Sequence, residues 1–214
     1  MPVEEDGSAR FYLPPGKPVY FQALDADGLV IQTMRSATYS VPGATQITCQ
    51  GCHERRYRAP RPRARMPLAM SRPPSTLKPE ADGSWPLSYA RLVQPILDER
   101  CKACHEGNAR TFSLGAGNYQ TNPDLFYTSY RNLEPYLSYH KAPYDFGPSV
   151  TFPGNYGART SRLYPLLTNH QGVKLSSEEL RTMAMWLDLN SDMYSDGEQR
   201  DAQARGEAIT PSVQ

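Results

Sequence analysis

Hydrophobic and polar positions alternate with period two only near the start of the chain. The stretch PVYFQALDADGLVIQTMR, residues 18–35, holds two strand-like runs either side of an Asp-Gly turn, a hairpin signal. Val19, Phe21 and Ala23 alternate with Tyr20, Gln22 and Leu24, which predicts one buried face. ATYSVPGATQITC follows through a further turn, so residues 1–48 read as β-structure. The period then changes. In PLSYARLVQPILDERCKACH, residues 86–105, the positions Leu92, Val93, Ile96, Leu97 and Cys101 form one helical stripe. Pro95 inside it predicts a kink or a restart. A second helix is predicted in LSSEELRTMAMWLDLN, with Ser176 and Glu179 as a capping box. Its buried stripe is Leu180, Met183, Ala184 and Leu187, and Asn190 is the stop.

Between these elements the pattern is irregular. Residues 54–86 are rich in Pro and Arg and predict no regular structure; seven arginines lie between Arg55 and Arg72 with no acid among them. Residues 121–168 are rich in Tyr and Pro, with short helical pieces. From Ser195 the chain is polar and is expected to fray. The predicted organisation is a β-rich segment over 1–60, a Pro/Arg-rich linker over 61–86, an α-helical domain over 87–195 and a polar tail over 196–214. The fold class expected is a mainly α, cytochrome c-like haem domain with a β-rich N-terminal segment and extensive irregular structure.

Composition narrows the partners. The chain has 214 residues, a formal net charge of +1 and a mean hydropathy of −0.62. No run of 18 apolar residues exists, so no membrane-spanning segment is expected. The near-zero charge and the Pro spacing of the arginines argue against a nucleic-acid partner. The arginines suit a different role, bidentate pairing with carboxylates such as haem propionates, or else a solvated basic linker. MPVEEDGSAR has neither the basic nor the apolar region of a secretory signal. It reads like the middle of a β-domain, so a piece of a longer protein is expected.

The cysteines carry the chemistry. All four fall in C-x-x-C pairs, Cys49 with Cys52 and Cys101 with Cys104. The two pairs lie farther apart than a zinc ribbon places them, and such short loops are poor disulfide staples. Only four histidines exist, yet one follows each pair at once, His53 and His105. Coincidence at both is roughly one in a few thousand by composition, so the pairs read as C-x-x-C-H motifs for covalent c-type haem. Two thiols at this spacing reach the two vinyl carbons of one porphyrin, and the next imidazole meets the iron. Two covalently attached haem c groups are therefore expected, with Cys49, Cys52, His53, Cys101, Cys104 and His105 holding them. Covalent haem attachment implies an extracytoplasmic compartment, the periplasm or its equivalent. The remaining histidines, His140 and His170, are candidate distal ligands. His170 stands just before the capped helix and is assigned to the second haem; His140 is either a ligand or a surface or propionate contact. Met183, Met185 and Met193 are reserve ligands.

The order of these phrases adds a resemblance. "PVYFQALDADG", "VQTMRS", C-x-G-C-H-E-x-R, the Arg/Pro linker, "VQPILDxxCxxCH" and "HxGVKLSxEE…WLDLN" together resemble the C-terminal region of hydrazine synthase alpha-subunit-like proteins, over about residues 3–195. These are di-haem cytochromes of planctomycete-type bacteria. The resemblance implies that a tyrosine four residues past the first motif histidine ligates that iron, the histidine turning away to help bind zinc. Tyr57 holds this position in CQGCHERRY, and Arg55, Arg56 and Arg58 would stabilise its phenolate. The alternative is ordinary ligation by His53, with Tyr57 packed on the porphyrin. The family's terminal haem is bis-His, which matches Cys101, Cys104, His105 and His170. Its zinc site draws on a preceding propeller-type domain. All four cysteines here belong to haem motifs, so zinc beside His53 is not expected from these residues alone.

Two functions follow. The favoured one is a di-haem electron carrier that meets redox partner proteins, or further subunits or domains of a larger complex. The other is the haem-bearing part of a multihaem oxidoreductase for small nitrogen compounds, with the first haem and Tyr57 catalytic and the second haem a relay. A cytochrome filament subunit is a third reading, supported only by the compact two-haem size.

Overall fold

The computed structural model describes residues 1–34, 37–43, 49, 65–79, 86–107, 110–117, 125–139 and 152–210. Of the candidate residues, Cys52, His53, Arg55, Arg56, Tyr57, Arg58 and His140 lie outside them. The chain divides into two compact units. One comprises 1–22, 33–84 and 148–152; the other comprises 23–32, 85–147 and 153–214.

The first unit is thin. β1 (Pro18–Val19) pairs antiparallel with β4 (Thr38–Tyr39), Val19 opposite Thr38. The Phe11 ring meets Phe21 edge-on, with centroids 5.3 Å apart. The expected alternation holds in part: Val19 and Phe21 are half-buried and Tyr20 is exposed, but Ala23 is exposed as well.

Residues 65–79 differ from the irregular linker expected there. Leu68–Ser71 form a 3₁₀ turn preceded by Pro67. The turn's free N–H groups are satisfied from far away in sequence. Leu68 donates to Asp6 Oδ2 and Ala69 to Ser8 Oγ, each at 3.0 Å. Arg72 pairs with Glu4 at 2.6 Å, so one linker arginine has an acidic partner 68 residues away. Ser75 bridges Phe11 in a strand-like contact. This stretch folds back on N-terminal residues that supply the acids it lacks, Glu4 and Asp6.

The predicted hairpin exists as β2 (Gln22–Leu24) and β3 (Val30–Thr33). Asp25 Oδ1 accepts the N–H groups of Asp27 and Leu29, and Gly28 takes the positive φ of +79° that the turn requires. The Leu29 N–H foremost, then the paired Arg159 guanidinium and the Asp27 N–H, outweigh partial desolvation and hold the Asp25 carboxyl below its ordinary range.

The second unit is helical. Its elements are α1 (Tyr89–Leu92), α2 (Gln94–Arg100), α3 (Lys102–His105), α4 (Thr128–Leu133), α5 (Leu163–Thr168), α6 (Ser177–Asp188) and α7 (Arg200–Ala204). The Pro95 ambiguity resolves as a restart. α1 ends at Val93, and Pro95 sits in the first turn of α2, where no amide hydrogen is needed. Tyr89, Val93, Leu97, Leu133, Met183, Trp186 and Leu187 are fully buried and form the core. Tyr89 lies against Trp186 (5.2 Å), Tyr130 (5.3 Å) and Tyr127 (6.1 Å) and donates to Ser129 Oγ at 2.9 Å. Its burial pushes the phenol's pKa far up.

α6 follows its sequence pattern closely. Ser176 Oγ accepts from Glu179 N, and Glu179 accepts from Ser176 N, completing the capping box. Asn190 follows in the left-handed region (φ +72°), and Ser191 N bonds back to Trp186 O in a Schellman closure. Met183 and Met193 are core residues, at 0% and 2% exposure, so both sulfurs are committed to packing.

At the end of α6, Asp188 accepts from Val30 N (3.1 Å) and Ala158 N (2.8 Å). Gly157 has φ +69°, and any Cβ there would collide with the Asp188 side chain. Burial raises the Asp188 carboxyl above its usual range.

The polar tail does not fray over its described length. Gln203 is fully buried, its amide bonding to Ser195 N and Oγ, Asp196 O and Gln199 O. Tyr127 donates its hydroxyl to Ala204 O, and Ile209 is buried. A glutamine that uses both ends of its amide anchors a segment whose composition alone predicts none. Among the described residues no helix is long and apolar enough to cross a membrane.

Candidate functional site

The helical stripe delivers the second cysteine motif. Val93 and Leu97 fix α2 in the core, and Cys101 continues their line, half-buried against the same cluster. α2 ends at Cys101, and α3 begins at once with Lys102–His105. The amides of Cys104 and His105 both donate to Cys101 O, at 3.2 and 3.1 Å. That turn sends Cys104 to the surface and keeps His105 half-buried. Cys101 and Cys104 are free thiols; burial, then the neighbouring Cys104 and Glu179, push the Cys101 thiol up.

His105 is oriented by a backbone acceptor. Its Nδ1 lies 3.0 Å from Phe112 O. A carbonyl only accepts, so Nδ1 carries a proton, and in the neutral ring Nε2 is the nitrogen with the lone pair. Phe112 also packs its ring against the imidazole, centroids 5.2 Å apart.

His170 comes to the same place from 65 residues away in sequence. Its ring centroid is 6.0 Å from that of His105, with the planes 37° apart. It stands at the head of a tight turn. Val173 N bonds to His170 O at 2.9 Å, and Gln171 (φ +50°) and Gly172 (φ +81°) are both left-handed. This is the mirror-image hairpin turn, and Gly172 is there because it takes that backbone freely. The loop then runs to Ser176 and the capped start of α6.

The structure thus brings together Cys101, Cys104, His105 and His170. Cys49 is exposed in the first unit; its motif partners and Tyr57 lie outside the described residues, as does His140. Among the described residues no group of three or more His, Cys, Asp or Glu side chains gathers as it would around a bare metal ion. Sequence reasoning missed the Phe112 carbonyl, since a backbone acceptor leaves no trace in residue type. It also missed Arg100, whose Nε donates to Glu179 Oε1 at 2.9 Å.

Comparison with known proteins gives one partial match. Residues 1–54 match the hydrazine synthase alpha subunit middle domain. The matched stretch contains Cys49, Cys52 and His53 and ends at Glu54. It is narrower than the resemblance over residues 3–195, and it names the middle domain rather than the C-terminal haem region. No curated protein and no solved structure matches the chain. In its first 54 residues, therefore, the chain is similar to the middle domain of the hydrazine synthase alpha subunit.

Proposed function

We propose that this chain is a di-haem c-type cytochrome, with a cytochrome c-like helical unit, that passes electrons through two covalently attached haems in an extracytoplasmic compartment. The observation that carries the reading is the pairing of His105 and His170. A metal–imidazole bond is about 2 Å and the nitrogen lies about 1 Å from its ring centre, so two axial imidazoles stand roughly 6 Å apart. Their centroids are 6.0 Å apart. The donor set also fits in kind. Cys101 and Cys104 offer thiols one turn apart, and the Phe112 carbonyl fixes His105 in the tautomer that leaves Nε2 free.

Bound there, haem c would supply one-electron chemistry. His105 and His170 would close both faces of the iron to small molecules, which suits a carrier or relay. The half-buried Cys101 would hold one porphyrin edge against the core, and the exposed Cys104 would mark the edge nearest solvent. Redox partner proteins, or further subunits of a larger assembly, would receive the electrons there.

The match over residues 1–54 favours a second reading. In it the chain is the haem-bearing part of a hydrazine synthase-like oxidoreductase, and Tyr57 would help hold the first haem, which would supply the redox chemistry for small nitrogen compounds. A phenolate is a hard, anionic ligand that favours the ferric state. Intact mass and a pyridine haemochrome assay on the full chain test the proposal: two covalent haems per chain are expected, and none at either motif would overturn it. Nitric oxide or cyanide titration separates the readings. A high-spin centre that binds either ligand, and that Tyr57→Phe alters, supports the enzyme; two low-spin, unreactive haems support the carrier.

A further inference from the structure

The two imidazoles ride on different elements, His105 on α3 and His170 on the loop before α6. One carboxylate ties those elements together. Glu179 Oε2 accepts Ser176 N at 2.6 Å, where the His170 loop ends. Its other oxygen, Oε1, accepts Arg100 Nε at 2.9 Å, one residue before Cys101. The Glu179 side chain is only 16% exposed although the pair lies near the surface. At its other end the loop is fixed by the left-handed pair Gln171–Gly172. A six-residue loop held at both ends has little freedom to carry His170 away.

We infer that Arg100 and Glu179 are positioning residues that set the separation of the His105 and His170 imidazoles. This rests on the reading of the second motif as a haem site. An exposed ion pair alone contributes little stability. Here the pair joins the attachment helix to the ligand loop, so its loss acts on ligand geometry more than on folding. The partial burial of Glu179 opposes its charge; Ser176 N–H and the Arg100 guanidinium outweigh that and keep the carboxyl below its ordinary range. Arg100 is held correspondingly above its own.

The test uses the full haem-loaded chain and the ferric low-spin EPR signal that His170→Ala abolishes. Glu179→Gln keeps an oxygen to accept from Ser176 N but replaces the partner of Arg100 with a neutral amide. Arg100→Met keeps the stem and removes the charge. Both are expected to convert part of that signal to high spin and to raise the CO-reactive fraction of the ferrous protein several-fold. Arg100→Lys restores most of the low-spin signal. Ser176→Ala, which weakens the cap and leaves the ion pair, changes it least. An unaltered signal and unchanged CO reactivity in both Glu179→Gln and Arg100→Met would overturn the positioning role. A low-spin signal indifferent to His170→Ala would overturn the pairing of His105 and His170 beneath it, and a chain without covalent haem at the second motif would overturn the haem reading itself.

Discussion

The two compact units of the chain are built differently. Around Cys101–His105, helices α1, α2 and α6 share a core built on Trp186, Tyr89, Leu97 and Met183, and the motif histidine is oriented before any ligand arrives. In the first unit, the described residues offer two-residue strands, a 3₁₀ turn and a single aromatic contact between half-buried rings. The extended hydrophobic cluster lies wholly in the second unit. The proposed site would hold two imidazoles at a fixed spacing, and that calls for rigid neighbours because small shifts undo coordination.

That contrast can be broken at its strongest point first. Replacing Cys101 and Cys104 with alanine should remove one of two covalent haems, halving the haemochrome absorbance. Trp186→Ala should cost the second unit about 3–5 kcal/mol in urea denaturation, the penalty for emptying a fully buried aromatic site. Phe21→Ala, in the first unit, should cost roughly 1 kcal/mol because the ring is only half-buried. Equal losses at the two positions would erase the distinction between the units. Ser176→Ala should cost about 1 kcal/mol through the lost cap of α6, read in the same denaturation experiment.

The smallest effect is on pH. Asp25 and Glu179 are both held below their ordinary values of 3.8 and 4.5. A depressed carboxyl binds fewer protons folded than unfolded, so its contribution is full above the ordinary value and is lost as pH falls through the folded one. The contributions of Asp25 and Glu179 should therefore be lost as pH falls below their ordinary values, against the opposite contribution of the raised Asp188 and Asp192, and Glu179→Gln should remove the Glu179 share. An acid limb unchanged in the variant would remove Glu179 from the account.

Much of the second site was legible in the sequence because its signals are local. The capping box at Ser176 and Glu179, the stripe through Leu97 to Cys101, the restart at Pro95 and the stop at Asn190 each span a few residues. With only four histidines in the chain, His170 drew attention in the sequence, and the structure sets its ring 6.0 Å from that of His105. What stayed hidden is non-local. Asp188 meets Val30 across 158 residues, and Arg100 meets Glu179 across 79. Periodicity holds no record of such pairings. The tail was misread because Gln203 counts as polar in composition, while in the structure its amide is fully satisfied and buried. The 3₁₀ turn at Leu68–Ser71 left no trace in the linker's composition because its partners, Asp6 and Ser8, lie about 60 residues upstream.

The most direct test is the low-temperature EPR spectrum of the oxidised, haem-loaded chain compared with its His170→Ala variant. The account predicts a low-spin ferric signal from two imidazole ligands in the parent, replaced by a high-spin signal in the variant. An identical low-spin signal in both proteins would show that His170 does not ligate, and would contradict the assignment of His105 and His170 to one iron.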